Sequence, residues 1–372
     1  MKRIFLIFLI LIAISSFAFA GDPGSKAMTF LNIAPNPRTT ALGKAFIALA
    51  DDVSAVYWNP AGVGNLKNME IAGNMNMYVE SIGYYNLQVA KPFFFGNLGL
   101  NLSVVSYGDI DNYKDGELIG TISPSDFLFT GVYSRKLNKN LFIGGSLKFA
   151  SETLTDEHSG SAFGIDVGLL YLTPYIKPLS FGLVIQNIGI GPKFDKERNS
   201  LPINIKFGFA YKYRFYRAVA NLKNLNFVLD FIIPADASFG IRYGTEAWWY
   251  NLANGLLDVA VRVGFKFPSD LGILSALTFG AGIRMFNTQL DYALINYGDL
   301  GFTHRIGVLY RFGKIEKPIE PPPAKPEKVE EKPSVEKKEI IKKEIEKFEE
   351  EELEEEETPL EEEEEEFEFE EE

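Results

Sequence analysis

From residue 69 to residue 312, apolar and polar side chains take turns along the chain. In 257–267, Val259, Val261, Val263 and Phe265 share one side while Asp258, Arg262 and Lys266 share the other; in 203–213, Ile205, Phe207 and Phe209 oppose Asn204 and Lys206. A repeat of two is that of a β-strand, whose successive side chains point to opposite faces. The pattern predicts about 14 strands, at 69–79, 83–92, 98–107, 127–137, 141–151, 161–172, 179–188, 203–213, 225–233, 238–248, 257–267, 276–286, 289–297 and 302–312. Each has about ten residues, the length a tilted strand needs to cross a bilayer. The reading is all-β: a transmembrane outer-membrane β-barrel of about 14 antiparallel strands over residues 68–313.

A soluble sandwich also alternates, with its polar side in water. Three features favour the membrane. Aromatics cluster at strand ends (Tyr84 and Tyr85, 93–95, 248–250, Tyr310, Phe312), as interfacial girdles do. Glycines recur inside strands, among them Gly144, Gly168, Gly244, Gly264 and Gly280, where they weaken a sheet unless it must bend or its interior is crowded. Connections at 108–126, 152–160 and 189–202 are long and those at 138–140 and 287–288 short, although 214–224 is long where a short turn belongs.

The chain ends add a compartment. Lys2 and Arg3 precede an apolar run at 4–14 that closes with Ala18-Phe19-Ala20, so residues 1–20 read as a signal peptide cleaved before Gly21. There is no cysteine, which excludes a disulfide framework, thiolate metal sites and Cys nucleophiles. Residues 314–372 hold 27 Glu and 10 Lys, a balance of −17, so the chain's −13 leaves +4 for residues 1–313. A body this close to neutral argues against nucleic acid as a partner. The region 314–372 is Pro-rich, then Glu-rich; it reads as a disordered tail with a charged helix over 336–348, in the periplasm by even strand parity.

Between signal and barrel, residues 21–67 carry one helix-like stretch, 40–50, and then DDVSAVYWNPAGVGN at 51–65. Here Asn59-Pro60 signals a tight turn, Gly62 and Gly64 offer backbone freedom, and Asp51 or Asp52 can cap N–H groups or pair with lumen arginines. Inward positions are assigned to Lys148, Arg242, Asp258, Arg262, Arg284 and Asp291, with Asp166, Lys206 and Asp230, and buried charges of this kind require partners. His158 stands beside Ser159 and His304 follows Thr303, neither with a third member at diagnostic spacing. With no phosphate loop and no metal or cofactor ligand set, the reading is non-enzymatic, without cofactor or metal.

Two resemblances refine this. Arg305, Gly307, Tyr310 and Phe312 resemble the terminal signal read by the barrel-assembly machinery, which with outer-membrane lipid is an expected partner. Ala41-Leu-Gly43, residues 45–52 and Tyr57-Trp58-Asn59-Pro60-Ala61-Gly62, followed by Gln186-Asn187-Ile188-Gly189, Leu201-Pro202, Asp291-Tyr292-Ala293 and residues 300–305, resemble the PorV/PorQ family of FadL-like outer-membrane barrels. The resemblance implies an N-terminal hatch folded inside the lumen, with Asp51, Asp52, Tyr57, Trp58, Asn59, Pro60, Ala61 and Gly62 as its motif. It implies a docking or shuttle component for protein secretion of the type IX kind, whose partners are secreted cargo or secretion components. The alternatives are a FadL-like channel for a hydrophobic small molecule and an outer-membrane scaffold whose acidic tail tethers periplasmic partners.

Overall fold

The computed structural model describes residues 26–78, 82–155, 158–176, 178–194, 197–219, 221–235, 237–269, 272–313, 339–340 and 342–347. The expected signal peptide and most of the acidic tail lie outside these residues. The chain forms two units, Met1–Pro318 and Ile319–Glu372. In the second, residues 339–340 and 342–347 are helical, inside the span predicted for a charged helix.

The first unit contains sixteen strands among the described residues: β1 (Glu70–Met77), β2 (Gly83–Phe93), β3 (Gly96–Ser106), β4 (Ile110–Lys114), β5 (Glu117–Ile122), β6 (Ser125–Lys136), β7 (Leu141–Thr153) and β8 (Ser159–Leu172), then β9 (Leu179–Ile190), β10 (Asn204–Val219), β11 (Leu222–Pro234), β12 (Gly240–Asn251), β13 (Leu257–Phe267), β14 (Leu277–Met285), β15 (Thr288–Asn296) and β16 (Phe302–Arg311). Fourteen of them close into an antiparallel barrel; β4 and β5 pair only with each other, as a hairpin within the connection from β3 to β6. All fourteen predicted strands are present. Closure joins β1 to β16, with Glu70 opposite Arg311 and Met77 opposite His304. Neighbours in sequence are neighbours in the sheet, so every barrel connection is a hairpin.

The outer wall is apolar. On β3, Leu98, Leu100, Leu102 and Val104 point outward at 38–50% exposure, while Asn97, Asn101 and Ser103 point inward and are buried. A soluble protein does not leave a ring of leucines in water around a polar interior; the fold is a transmembrane barrel of the outer-membrane type. Among the described residues no helix is long and apolar enough to cross a membrane, and the crossing is made by strands. Phe93, Phe94, Phe95, Tyr85, Tyr310 and Phe312 are exposed as girdle residues would be, but Tyr84, Trp248 and Tyr250 are buried in the lumen. Their strand phase, one residue off that of the outward set, decides this.

Two local expectations are corrected. The segment 214–224 is no long loop, because β10 and β11 continue through it and pair as far as Val219 with Leu222. The stretch 40–50 is not one helix: Pro37–Ala41 is helical, and the chain then turns through Gly43, Lys44 and Ala50 at φ of 67°, 67° and 24°. The apolar spacing at 41–50 arises because the lumen surrounds this segment on all sides, so Ala41, Leu42 and 45–50 are all buried.

Candidate functional site in the barrel lumen

The N-terminal segment fills the barrel from one end to the other. At the end with the longer connections, Ala27 N donates to Ser200 O and Met28 N donates to Glu152 Oε2 at 3.2 Å. There Met28, Phe30 and Leu31 pack against Tyr84, Val105, Leu128, Ala150, Ala162 and Leu201. From that end the segment runs to Met69, at the end with the shorter turns, where β1 begins and Met69 O accepts from Phe312 N.

Its backbone lies directly on the sheet, which explains the strand glycines. A Cβ on Gly244 would come within 2.6 Å of Leu42 O, and one on Gly182 within 2.7 Å of the Ile47 carbonyl carbon. Gly144 and Gly168 stand likewise against Pro60 and Asn59, Gly264 against Leu42 and Gly43, and Gly280 against Ala41. These glycines make room rather than bends. A Cβ added at outward-facing Gly73 or Gly131 would meet nothing within 4 Å, so these two play no part in the packing.

Within DDVSAVYWNPAGVGN each motif residue has a contact. Asn59 caps the short helix Pro60–Val63, its Oδ1 accepting from Ala61 N at 3.1 Å, and its Nδ2 donates to Ile47 O at 2.9 Å and to Leu169 O on β8 at 3.2 Å. Pro60 occupies the first helical position, where its missing N–H costs nothing. So Asn59-Pro60 starts a helix, not only a turn. Tyr57 Oη donates to Leu31 O at 2.7 Å, Gln186 on β9 donates to Tyr57 O at 2.8 Å, and Lys206 Nζ lies 5.4 Å from the Trp58 ring centroid. Ala61 O accepts from Ser134 Oγ at 3.1 Å. Gly62 and Gly64 are required by space, not by φ: Gly64 has φ of −65°, and a Cβ on Gly62 would lie 2.5 Å from that of Ala50.

The two acids belong to a charge network whose centre is Arg38, a residue that nothing in the sequence pattern singles out. Arg38 forks onto Glu246 of β12 with two bonds of 2.8 Å and reaches Asp51 at 2.8 Å and Asp52 at 2.5 Å. Asp52 also accepts from Ser54 N at 2.8 Å, and Asp51 binds Lys212 of β10 at 2.9 Å.

The chain of bonds continues around the wall. Glu246 accepts from Arg262 Nε at 2.7 Å, Arg262 pairs with Asp291 at 2.8 Å, and Gln289 donates to Asp291 at 2.7 Å. Arg311 donates to Gln289 at 3.1 Å and pairs with Glu70 at 3.0 Å, and Glu70 accepts from Val53 N of the segment at 2.8 Å. The circuit thus returns to where it began, two residues from Asp51. Asparagine, serine and threonine side chains of the wall bind segment carbonyls elsewhere, among them Asn97 to Val63 O at 2.6 Å and Thr278 to Ala41 O at 3.0 Å.

The other sequence-assigned positions divide. Lys148 pairs with Asp166 at 2.8 Å, and Asp230 accepts from Phe46 N and Ile47 N of the segment. Arg284 stacks on Trp248 at 4.3 Å and comes within 3.9 Å of Asp258. Arg242 donates to Phe267 O at 2.6 Å. Arg305 and Gly307 face the segment, Arg305 binding Ala34 O at 2.8 Å and Gly307 lying against Pro37, whereas Tyr310 and Phe312 face outward. His304 lies on the outer face, hydrogen-bonded to Tyr292 Oη at 2.7 Å. Among the described residues no group of three His, Asp or Glu is placed to hold a metal ion. A signal for Glu246 did exist: it shares the face of Arg242 two pairs along the same strand.

No protein-family model matches the chain, and no curated protein matches it. Among solved structures, the CymD monoaromatic hydrocarbon channel is similar over 75% of this chain and 98% of its own, at 11% identity and a TM-score of 0.50. A Pseudomonas aeruginosa FadL homologue and the Ralstonia pickettii toluene transporter TbuX each cover the same 75% and 98% at 11% identity, with TM-scores of 0.48 and 0.47. At this identity the likeness to CymD establishes the fold, a closed antiparallel barrel, and nothing finer.

Proposed function

We propose that this chain is a non-enzymatic, gated outer-membrane channel of the FadL-like kind, which admits a hydrophobic small molecule when the N-terminal segment, its hatch, moves aside. The observation that carries the reading is how the lumen is blocked. The segment runs into the wall at Met69, and beside its apolar packing many of its contacts with the wall are side-chain hydrogen bonds and ion pairs, the kind that water can replace during opening. A segment meant only to stabilise a barrel would not need an ionic clasp, since buried ion pairs add little net stability over apolar packing. CymD, the barrel of the same fold, is a monoaromatic hydrocarbon channel.

The docking reading, of a PorV/PorQ-type component that holds exported proteins, has one observation in its favour. The β4–β5 hairpin, at the long-connection end, exposes Tyr113, Leu118 and Ile119 at 57–60%. The test compares cells with and without the chain in their outer membrane, given labelled toluene and labelled oleate. Several-fold faster accumulation of either supports the channel. Equal accumulation of both refutes it, and recovery of an exported protein crosslinked to residues 110–122 favours docking instead.

A further inference from the structure

At the short-turn end the lumen opens into a cavity of about 300 Å³ between the inserted segment and β10, β11, β12, β14 and β16. That is room for about ten waters, or one small solute. Five cations line it, Arg38, Lys212, Arg214, Arg284 and Arg311, against two acids, Asp51 and Glu246. Three of the five are spoken for: Arg38 and Lys212 by Asp51 and Glu246, Arg311 by Glu70.

The other two are not. The Arg214 side chain makes no hydrogen bond or ion pair with any described residue. Arg284 approaches Asp258 only at 3.9 Å, at the limit of an ion pair, and its Nε is buried without a hydrogen-bond partner. The face of its guanidinium is held on Trp248, at 4.3 Å, which fixes the plane. Asn224, also in the lining, spends its amide on Tyr250 Oη at 2.9 Å. A planar guanidinium of fixed orientation, lining the same cavity as a second guanidinium that has no partner among the described residues, matches the two oxygens of a carboxylate or phosphate.

We propose that this cavity is a binding site for a small soluble oxyanion, a carboxylate or a phosphate, gripped by Arg284 and Arg214. The proposal does not rest on the channel reading, because Arg284 and Arg214 both belong to the wall. Bound there, the anion also meets Arg38 and Lys212, the two cations that hold Asp51, so occupancy of the cavity and the clasp on the inserted segment share the same charges.

The test is isothermal titration calorimetry of the detergent-solubilised full chain with inorganic phosphate and, separately, with succinate. The expected result is saturable binding of at least one probe, weakened about tenfold or more by Arg214→Gln and by Arg284→Gln. The probe that binds decides between phosphate and carboxylate. Heat-dependent mobility on gels reports whether each variant has a folded barrel. Arg214, exposed and without a partner among the described residues, keeps the test valid should Arg284→Gln fail to assemble. No saturable binding of either probe to the wild type, or wild-type affinity in any folded variant of the two, overturns the proposal.

Discussion

Replacing Arg38 with Met removes the centre of the clasp while keeping a long apolar side chain in its place. Glu246 retains Arg262 and Asn226, and Asp51 retains Lys212. Asp52 does not fare as well: its second oxygen loses Arg38, and the side chain is 1% exposed, so a carboxylate stays buried with only the Ser54 N–H to answer it. Removing one partner of a buried ion pair costs about 3–5 kcal/mol. Because the other acids keep partners, the lower end, about 3 kcal/mol, is expected, which is roughly a hundredfold rise in the population with the segment released. The assay is hydrogen exchange of amides in residues 44–63 of the barrel in lipid, where protection reports local opening. Those amides should exchange about a hundredfold faster while strand amides on β3 and β13 are unchanged. Exchange within about threefold of wild type, in a barrel that is still folded, would refute the assignment of the clasp to Arg38. Glu246→Gln should reproduce part of the effect, and the double variant should fall short of the sum, since the two residues share one interaction.

Further outcomes follow from the same contacts. Gly144→Ala and Gly264→Ala place a methyl into the backbone of the inserted segment and should leave it open to protease in a folded barrel, whereas Gly131→Ala, which meets nothing within 4 Å, should not; limited proteolysis separates the two cases. Leu100→Arg, at the outward centre of β3, should destabilise the barrel in lipid by roughly 2–4 kcal/mol, measured by folding titration in vesicles, and a loss no larger than that of Asn97→Ala on the inner face would deny that Leu100 meets hydrocarbon.

The sequence by itself determined the strands and their faces. Period-two alternation is local, each strand carries its own copy, and the two media on either side of the wall enforce it, so 257–267 appears in the structure with the predicted bounds and Arg262 inward. The hairpin 110–122 carries no such pattern, because it is largely exposed on both faces and nothing imposes alternation there. The presence of inward charges was legible as well, since strand phase alone marks them. Their partners were not. Arg38 and Glu246 lie 208 residues apart, and only closure of the barrel around the inserted segment brings them to 2.8 Å. The strand glycines show the same division: their recurrence stands in the sequence, but whether they serve a bend or a crowded lumen depends on which backbone lies opposite. Gly144 answers to Pro60 and Gly244 to Leu42, contacts set by how a segment with helices of four or five residues folds against a curved wall. Such short turns have too few internal bonds to be stable alone, so tertiary packing decides their shape.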